Sequence, residues 1–182
     1  MEPFIKELNR NGIRSTFDND INMSLYSSIL SLMINDFDNL PAKEQFNCIT
    51  KLRDKIIIHM TNKDIMKNNG YSEFGWIKTD ITNSLIQYKT NKIILKLFAD
   101  YFNINIFLLN IMEDRIYVIS DANYYNLFRP NVFLVLNNDT FEPLVYNGNK
   151  IIDHGSSLIK KLITVDKNFL IMMEFDFNIN KK

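Results

Sequence analysis

Thr90-Asn91-Lys92-Ile93-Ile94-Leu95-Lys96-Leu97-Phe98-Ala99-Asp100-Tyr101-Phe102-Asn103-Ile104-Asn105-Ile106-Phe107-Leu108-Leu109 contains the change of period on which the fold class turns. Ile93, Ile94, Leu97, Phe98, Tyr101 and Phe102 recur at three-to-four spacing, the mark of a helix with one apolar face. Thr90 has the chemistry of an N-cap for it. From Ile104 to Leu109 nearly every residue is apolar, as in a strand buried on both faces.

Upstream of this junction the periods are helical. Leu25, Ile29, Leu32 and Met33, with Tyr26 and Leu30 beside them, predict a helix that has Ser24 at its cap or first turn. Pro41 sits well for opening a second helix, whose stripe is Phe46, Ile49, Leu52, Ile56 and Met60 and which ends before Asn68-Asn69-Gly70. A third helical region begins near Asp80 and contains Leu85 and Tyr88. Pro3 to Arg10 reads as a short helix stopped by Asn11-Gly12, and a polar stretch runs from Ser15 to Asn22.

Downstream the periods are those of strands. Arg115 to Ser120 alternates. Asn131 to Leu136 and Phe141 to Tyr146 flank Asn137-Asn138-Asp139, a hairpin signal. Pro143 favours a sheet edge or a bulge. Ser156 to Ile163 predicts a short amphipathic helix and Asn168 to Phe177 one more strand. No repeat or linker divides the chain. Helices first and strands after give an α+β domain, N-terminal helices packed on a mostly antiparallel central sheet.

The 182 residues suffice for one domain with a substantial core. With 46% apolar and 13% aromatic residues the chain is too hydrophobic for disorder. Its 21 basic and 21 acidic side chains cancel, which argues against a nucleic-acid binder. No apolar run is long enough to span a membrane. The opening MEPFIKELNRNG lacks an apolar core, so a non-secreted protein is expected.

Reactive residues are sparse. The chain has two histidines and one cysteine. His59, beside Met60 on the second helix, reads as a packed or capping histidine, and His154, in Asp153-His154-Gly155, as an exposed turn residue. Cys48 lies between Phe46 and Ile49 and reads as a buried, inert thiol, with only Lys51 and Arg53 nearby to lower its pKa. No spacing builds a metal site, and no phosphate loop, nucleophile elbow or kinase signature occurs. Neither a metal nor a cofactor is expected. The segment Tyr124-Tyr125-Asn126-Leu127-Phe128-Arg129-Pro130 is open to two readings. It is an exposed loop of the kind found at interface hot spots, or it is pinned to the core by Leu127 and Phe128.

The order of elements resembles the ovarian-tumour (OTU) cysteine proteases. Asp20-Ile21-Asn22-Met23-Ser24-Leu25-Tyr26, running into Ser27-Ser28-Ile29-Leu30, is similar to the family's nucleophile segment, approximately Asp-Gly-x-Cys-Leu-Phe/Tyr opening a helix. Leu52-Arg53-Asp54 with Ile56 to Met60 resembles its second helix. Trp76, Lys92 to Phe102 and Ile104 to Leu109 resemble its helix and central strand. Asn137 to Leu144 resembles its last catalytic segment, where a His-Tyr/Phe opens a strand. The resemblance covers roughly residues 20–146 and implies a papain-type fold.

It also implies an emptied site. The family's nucleophilic cysteine falls on Ser24 and its base histidine on Thr140, with Asp20 upstream, and bulky Ile21, Asn22 and Met23 fill the place of a glycine. A serine hydroxyl needs a base, and threonine cannot supply one near neutral pH. An engineered cysteine replacement would account for Ser24 but not for Thr140 or the loop. The resemblance therefore implies an OTU-like domain over 20–149 without catalytic activity, preceded by an N-terminal extension, 1–19, and followed by a helix-strand appendage, 150–182. Two jobs are expected of it. One is a structural or docking module binding protein partners, the other a domain that binds ubiquitin without cutting it; the alternative is a live deubiquitinase with a rearranged triad, which needs His59 or His154 near a nucleophile. Asn (25) and Ile (26) dominate the composition, a bias of AT-rich genomes such as those of large DNA viruses or certain protists, so viral structural proteins are among the expected partners and a virion or the cytoplasm is the expected location.

Overall fold

The computed structural model describes residues 12–14, 23–62, 65–121, 124–164 and 170–172. The helix predicted over Pro3 to Arg10, the polar stretch after Arg14, and Asp20 lie outside these residues. Gly12, expected to cap that helix, opens a short strand, β1 (Gly12–Arg14).

Helix α1 (Ser24–Met33) follows, with Met23 at its N-cap and Ser24 in the first turn. Every residue from Ser24 to Leu32 is buried. The four serines Ser24, Ser27, Ser28 and Ser31 are as enclosed as Leu25 and Ile29, so this helix has no wet face. A turn of 3-10 helix, Phe37–Asn39, leads into α2 (Ala42–His59), which starts directly after Pro41. Ile49, Leu52, Ile56 and Met60 are buried as their spacing predicts. Phe46 is on the same stripe yet 47% exposed. The opening turn of α2 reaches past its neighbours into solvent, with Glu44 and Asn47 exposed beside it, and burial starts at Ile49.

The second helix stops at His59, short of the predicted end, and a single turn, α3 (Ile65–Asn68), follows. Then come α4 (Lys78–Ile86) and α5 (Lys92–Phe102). The N-cap of α5 is Asn91 rather than Thr90, because the Asn91 side chain accepts from the Ile94 N–H at 3.1 Å. Asn103 ends the helix at φ 52°, a conformation asparagine tolerates better than most residues.

The strands are β2 (Asn105–Asn110), β3 (Arg115–Ile119), β4 (Asn131–Asn137), β5 (Thr140–Tyr146) and β6 (Leu170–Met172). They form a six-stranded sheet in the order β1-β5-β4-β2-β3-β6. β1 with β5, β5 with β4 and β2 with β3 are antiparallel; β4 with β2 and β3 with β6 are parallel. The mixed α+β class and the mostly antiparallel sheet are as the sequence predicts. Asn138 and Asp139 turn the β4–β5 hairpin with φ of 46° and 64°, both in the left-handed region that two-residue hairpins require.

β5 is interior, flanked by β1 and β4, so Pro143 is not on an edge strand. Its tolerance has a local cause. β1 pairs only with Leu144 to Tyr146, so no described strand lies beside Pro143 on that side.

The sheet has two covered faces. Ile106, Leu108, Ile119, Val132, Leu134 and Phe141 pack with α1, α2, α4 and α5 in the larger core. Phe107, Ile116, Val118, Phe133, Val135, Leu144 and Tyr146 pack against Ile152 and helix α6 (Ser157–Thr164). Leu158, Ile159 and Leu162 of α6 are at most 1% exposed, whereas Ile163 faces solvent. Ser156 caps α6 by accepting from Ile159 N–H at 3.2 Å.

Candidate functional site

The start of α1 meets the start of β5. The Phe141 N–H donates to Ser24 Oγ at 3.0 Å, and Ser28 Oγ donates to the Phe141 carbonyl at 2.9 Å. Ser24 is 4% exposed and Thr140, bonded in sequence to Phe141, is partly exposed. Ser24 and Thr140, far apart in sequence, are thus brought to one place at the C-terminal ends of the parallel strands β2 and β4. Asp20 lies outside the described residues. Glu142, two residues beyond Thr140, is buried at 6% exposure.

Neither histidine reaches this place. His59 is exposed at the end of α2 and packs edge-on against Tyr101, ring centroids 5.4 Å apart, in the last turn of α5. That turn leads into the N-terminal end of β2. His154 is exposed two residues beyond Ile152, which bridges to Asn131 at the first residue of β4. Thr140 pairs with Asn137 at the last residue of β4, so the length of that strand, about 20 Å, lies between. Cys48 is half-buried against the larger core, less enclosed than its neighbours in sequence predict.

Among the described residues no group of three or more His, Cys, Asp and Glu is placed to hold a metal ion. No helix among them is long and apolar enough to cross a membrane.

The aromatic segment after β3 lies at the opposite end of the sheet. It is pinned, but not by Leu127 and Phe128, which are 54% and 95% exposed. Polar groups hold it instead. Asn105 Nδ2 donates to the carbonyls of Asn126 and Arg129 at 2.8 and 3.0 Å and to Asn131 Oδ1 at 2.9 Å. Ser120 Oγ donates to Asn105 Oδ1 and accepts from Asn126 N–H. Tyr125 packs against Phe107 and donates to Asn131 Oδ1 at 2.8 Å. The loop is therefore turned inside out, its polar atoms inward and Tyr124, Leu127 and Phe128 outward.

A buried ionic cluster backs it. Lys96, 2% exposed, reaches both oxygens of Asp100 at 2.5 and 2.6 Å. Asp100 also accepts from Tyr71 Oη at 2.6 Å and from Arg129 at 3.1 Å, and Arg129 pairs with Asp121 at 2.6 Å. The two cations and two carboxylates balance, which is the condition for burying such groups. Burial pushes the Lys96 ammonium below its ordinary pKa, against the pull of Asp100. Burial, reinforced by Asp100, pushes the Tyr71 hydroxyl far up. Among the described residues the four charges pair with one another, which fits a structural role for the cluster.

No protein-family model matches the chain, and no curated protein matches it. One solved structure, described as an ovarian tumour (OTU) domain in complex with ubiquitin, has a TM-score of 0.57 at 11% sequence identity, covering 84% of this chain and 81% of that one. At that identity the likeness speaks for architecture, and the architecture is OTU-like.

Proposed function

We propose that the chain is a non-catalytic OTU-like domain that works as a protein-interaction module. The observation that carries this reading is the contact between Ser24 Oγ and the Phe141 N–H, which brings position 24 next to position 140. In the family the sequence resembles, these positions hold a thiol and an imidazole. Here both are neutral alcohols, and both histidines of the chain are elsewhere. Cysteine chemistry needs a thiolate, and a serine needs a base to become a nucleophile.

A fluorogenic ubiquitin conjugate tests the catalytic half of the proposal. No turnover is expected. Turnover abolished by Ser24→Ala would overturn it and restore the alternative, a live deubiquitinase with a rearranged site.

Ubiquitin is the first partner to try, because the structural neighbour was solved with it. Binding and cleavage rest on different contacts, so a groove outlives its nucleophile. Calorimetric titration with ubiquitin is expected to give a saturable signal. Its absence at high micromolar concentration leaves the second reading, a docking element in a larger assembly such as a virus particle, supported by the balanced charge and the AT-rich composition. On either reading residues 150–182 are proposed to belong to the same globule as 20–149, since α6 covers one face of the sheet.

A further inference from the structure

We infer that Ser24 and Ser28 act together as a surrogate edge strand for β5, and that Ser24 is a positioning residue held by this task rather than an idle remnant. Within an antiparallel ladder a residue directs its N–H and C=O to the same side, and successive residues alternate sides. Both main-chain groups of Phe141 are directed to α1 and taken by the two serines, 3.0 Å from the N–H to Ser24 Oγ and 2.9 Å from Ser28 Oγ to the carbonyl. Serines four residues apart share one helix face, so a single helix presents the acceptor and the donor that a neighbouring strand would present.

Among the described residues, β1 pairs with β5 as far as Leu144. Pro143, two residues beyond Phe141 and therefore facing the same side, has no N–H to satisfy. Among the described residues, the N–H and C=O of Phe141 are thus met by two hydroxyls of a helix rather than by a strand, and Pro143 leaves no N–H open on that side. An open stretch there would offer main-chain groups for pairing with another chain. The task also fixes Thr140 at the head of α1. The inference concerns this chain's own packing and stands whether or not ubiquitin binds.

Residue-resolved amide hydrogen exchange on the full chain tests it. In Ser24→Ala the Phe141 amide is expected to exchange about tenfold faster, the loss of one ordinary hydrogen bond, while amides of β4 such as Leu134 keep their rates. Ser24→Thr, which keeps the hydroxyl, is expected to restore protection. Ser24→Cys, of nearly the same size but with a weakly accepting sulfur, is expected to behave like alanine and covers the case in which the alanine variant does not fold. Unchanged exchange at Phe141 in both the alanine and cysteine variants, or a rise shared equally by Leu134, would overturn the inference.

Discussion

Replacing Asn105 with alanine should remove the hub of the loop that precedes β4. Asn105 is fully buried, and its Nδ2 is within 3.0 Å of the Asn126 carbonyl, the Arg129 carbonyl and Asn131 Oδ1. Two N–H groups serve three acceptors, so two full bonds are the most this nitrogen makes at once. Its Oδ1 accepts a third bond, from Ser120. After truncation Asn131 Oδ1 still accepts from Tyr125 and the Asn126 carbonyl from the Arg129 N–H, so the Ser120 hydroxyl and the Arg129 carbonyl are the groups stranded, at about 1–3 kcal/mol each. Relaxation among connected groups keeps the sum from being simply additive. The expected loss is about 3–5 kcal/mol, a large part of the stability of an ordinary domain. The melting temperature should fall by about 6–20 °C for a chain of this size. Thermal and urea unfolding followed by far-ultraviolet circular dichroism measure the loss, and amide exchange locates it. The Asn126 and Phe128 amides should lose protection beyond the global change. A loss below about 1 kcal/mol would refute the reasoning, since it would mean the network is already satisfied without its hub.

Two further outcomes are expected. The Tyr26 hydroxyl is buried inside α1's packing and meets no hydrogen-bond partner among the described residues, so Tyr26→Phe should stabilise the fold by about 1 kcal/mol; a clear destabilisation in urea would contradict this. Burial pushes the Tyr26 and Tyr71 hydroxyls above the ordinary 10.0, helped by Tyr88 and Asp100 respectively. The unfolded chain releases these protons as pH passes that value and the folded chain holds them, so the stability they support is intact below pH 10 and lost as pH rises beyond it. Lys96, lowered in the fold, acts in the opposite sense up to its unfolded 10.5, so the decline is steepest above that. Urea midpoints from pH 8 to 12 should show the fall, and a Tyr26→Phe/Tyr71→Phe double variant with the same slope as the parent would count against it.

The class of fold was legible because periodicity reports which face of an element is buried. The helix over Lys92–Phe102, the strand after it and the Asn138-Asp139 hairpin all declare themselves in the spacing of their residues. The helix opening at Ser24 was legible too, and the resemblance to the OTU proteases, not the periodicity, implied that Thr140 would arrive beside it. Periodicity does not report where an element outruns its neighbours, and Phe46 shows that limit. Nor does it say which way a loop is turned, so Leu127 and Phe128 read as anchors when Asn105, Asn126 and Asn131 are the anchors. These asparagines were hidden by abundance. In a chain with 25 of them the residue type carries no local signal, and only the fold distinguishes the few that bind buried main-chain groups.

Helix α6 closes one face of the sheet with residues that come late in the chain. While the polypeptide is being synthesised, β2 to β5 are complete before Leu158, Ile159 and Leu162 emerge, a delay of about 1–3 s at ordinary elongation rates. During that interval Phe107, Phe133 and Val135 line a nascent sheet with nothing over them, a surface that chaperones recognise and neighbouring nascent chains adhere to. Premature termination after Tyr146 would make the interval permanent, and such fragments should accumulate as aggregates even though every strand from β1 to β5 is present.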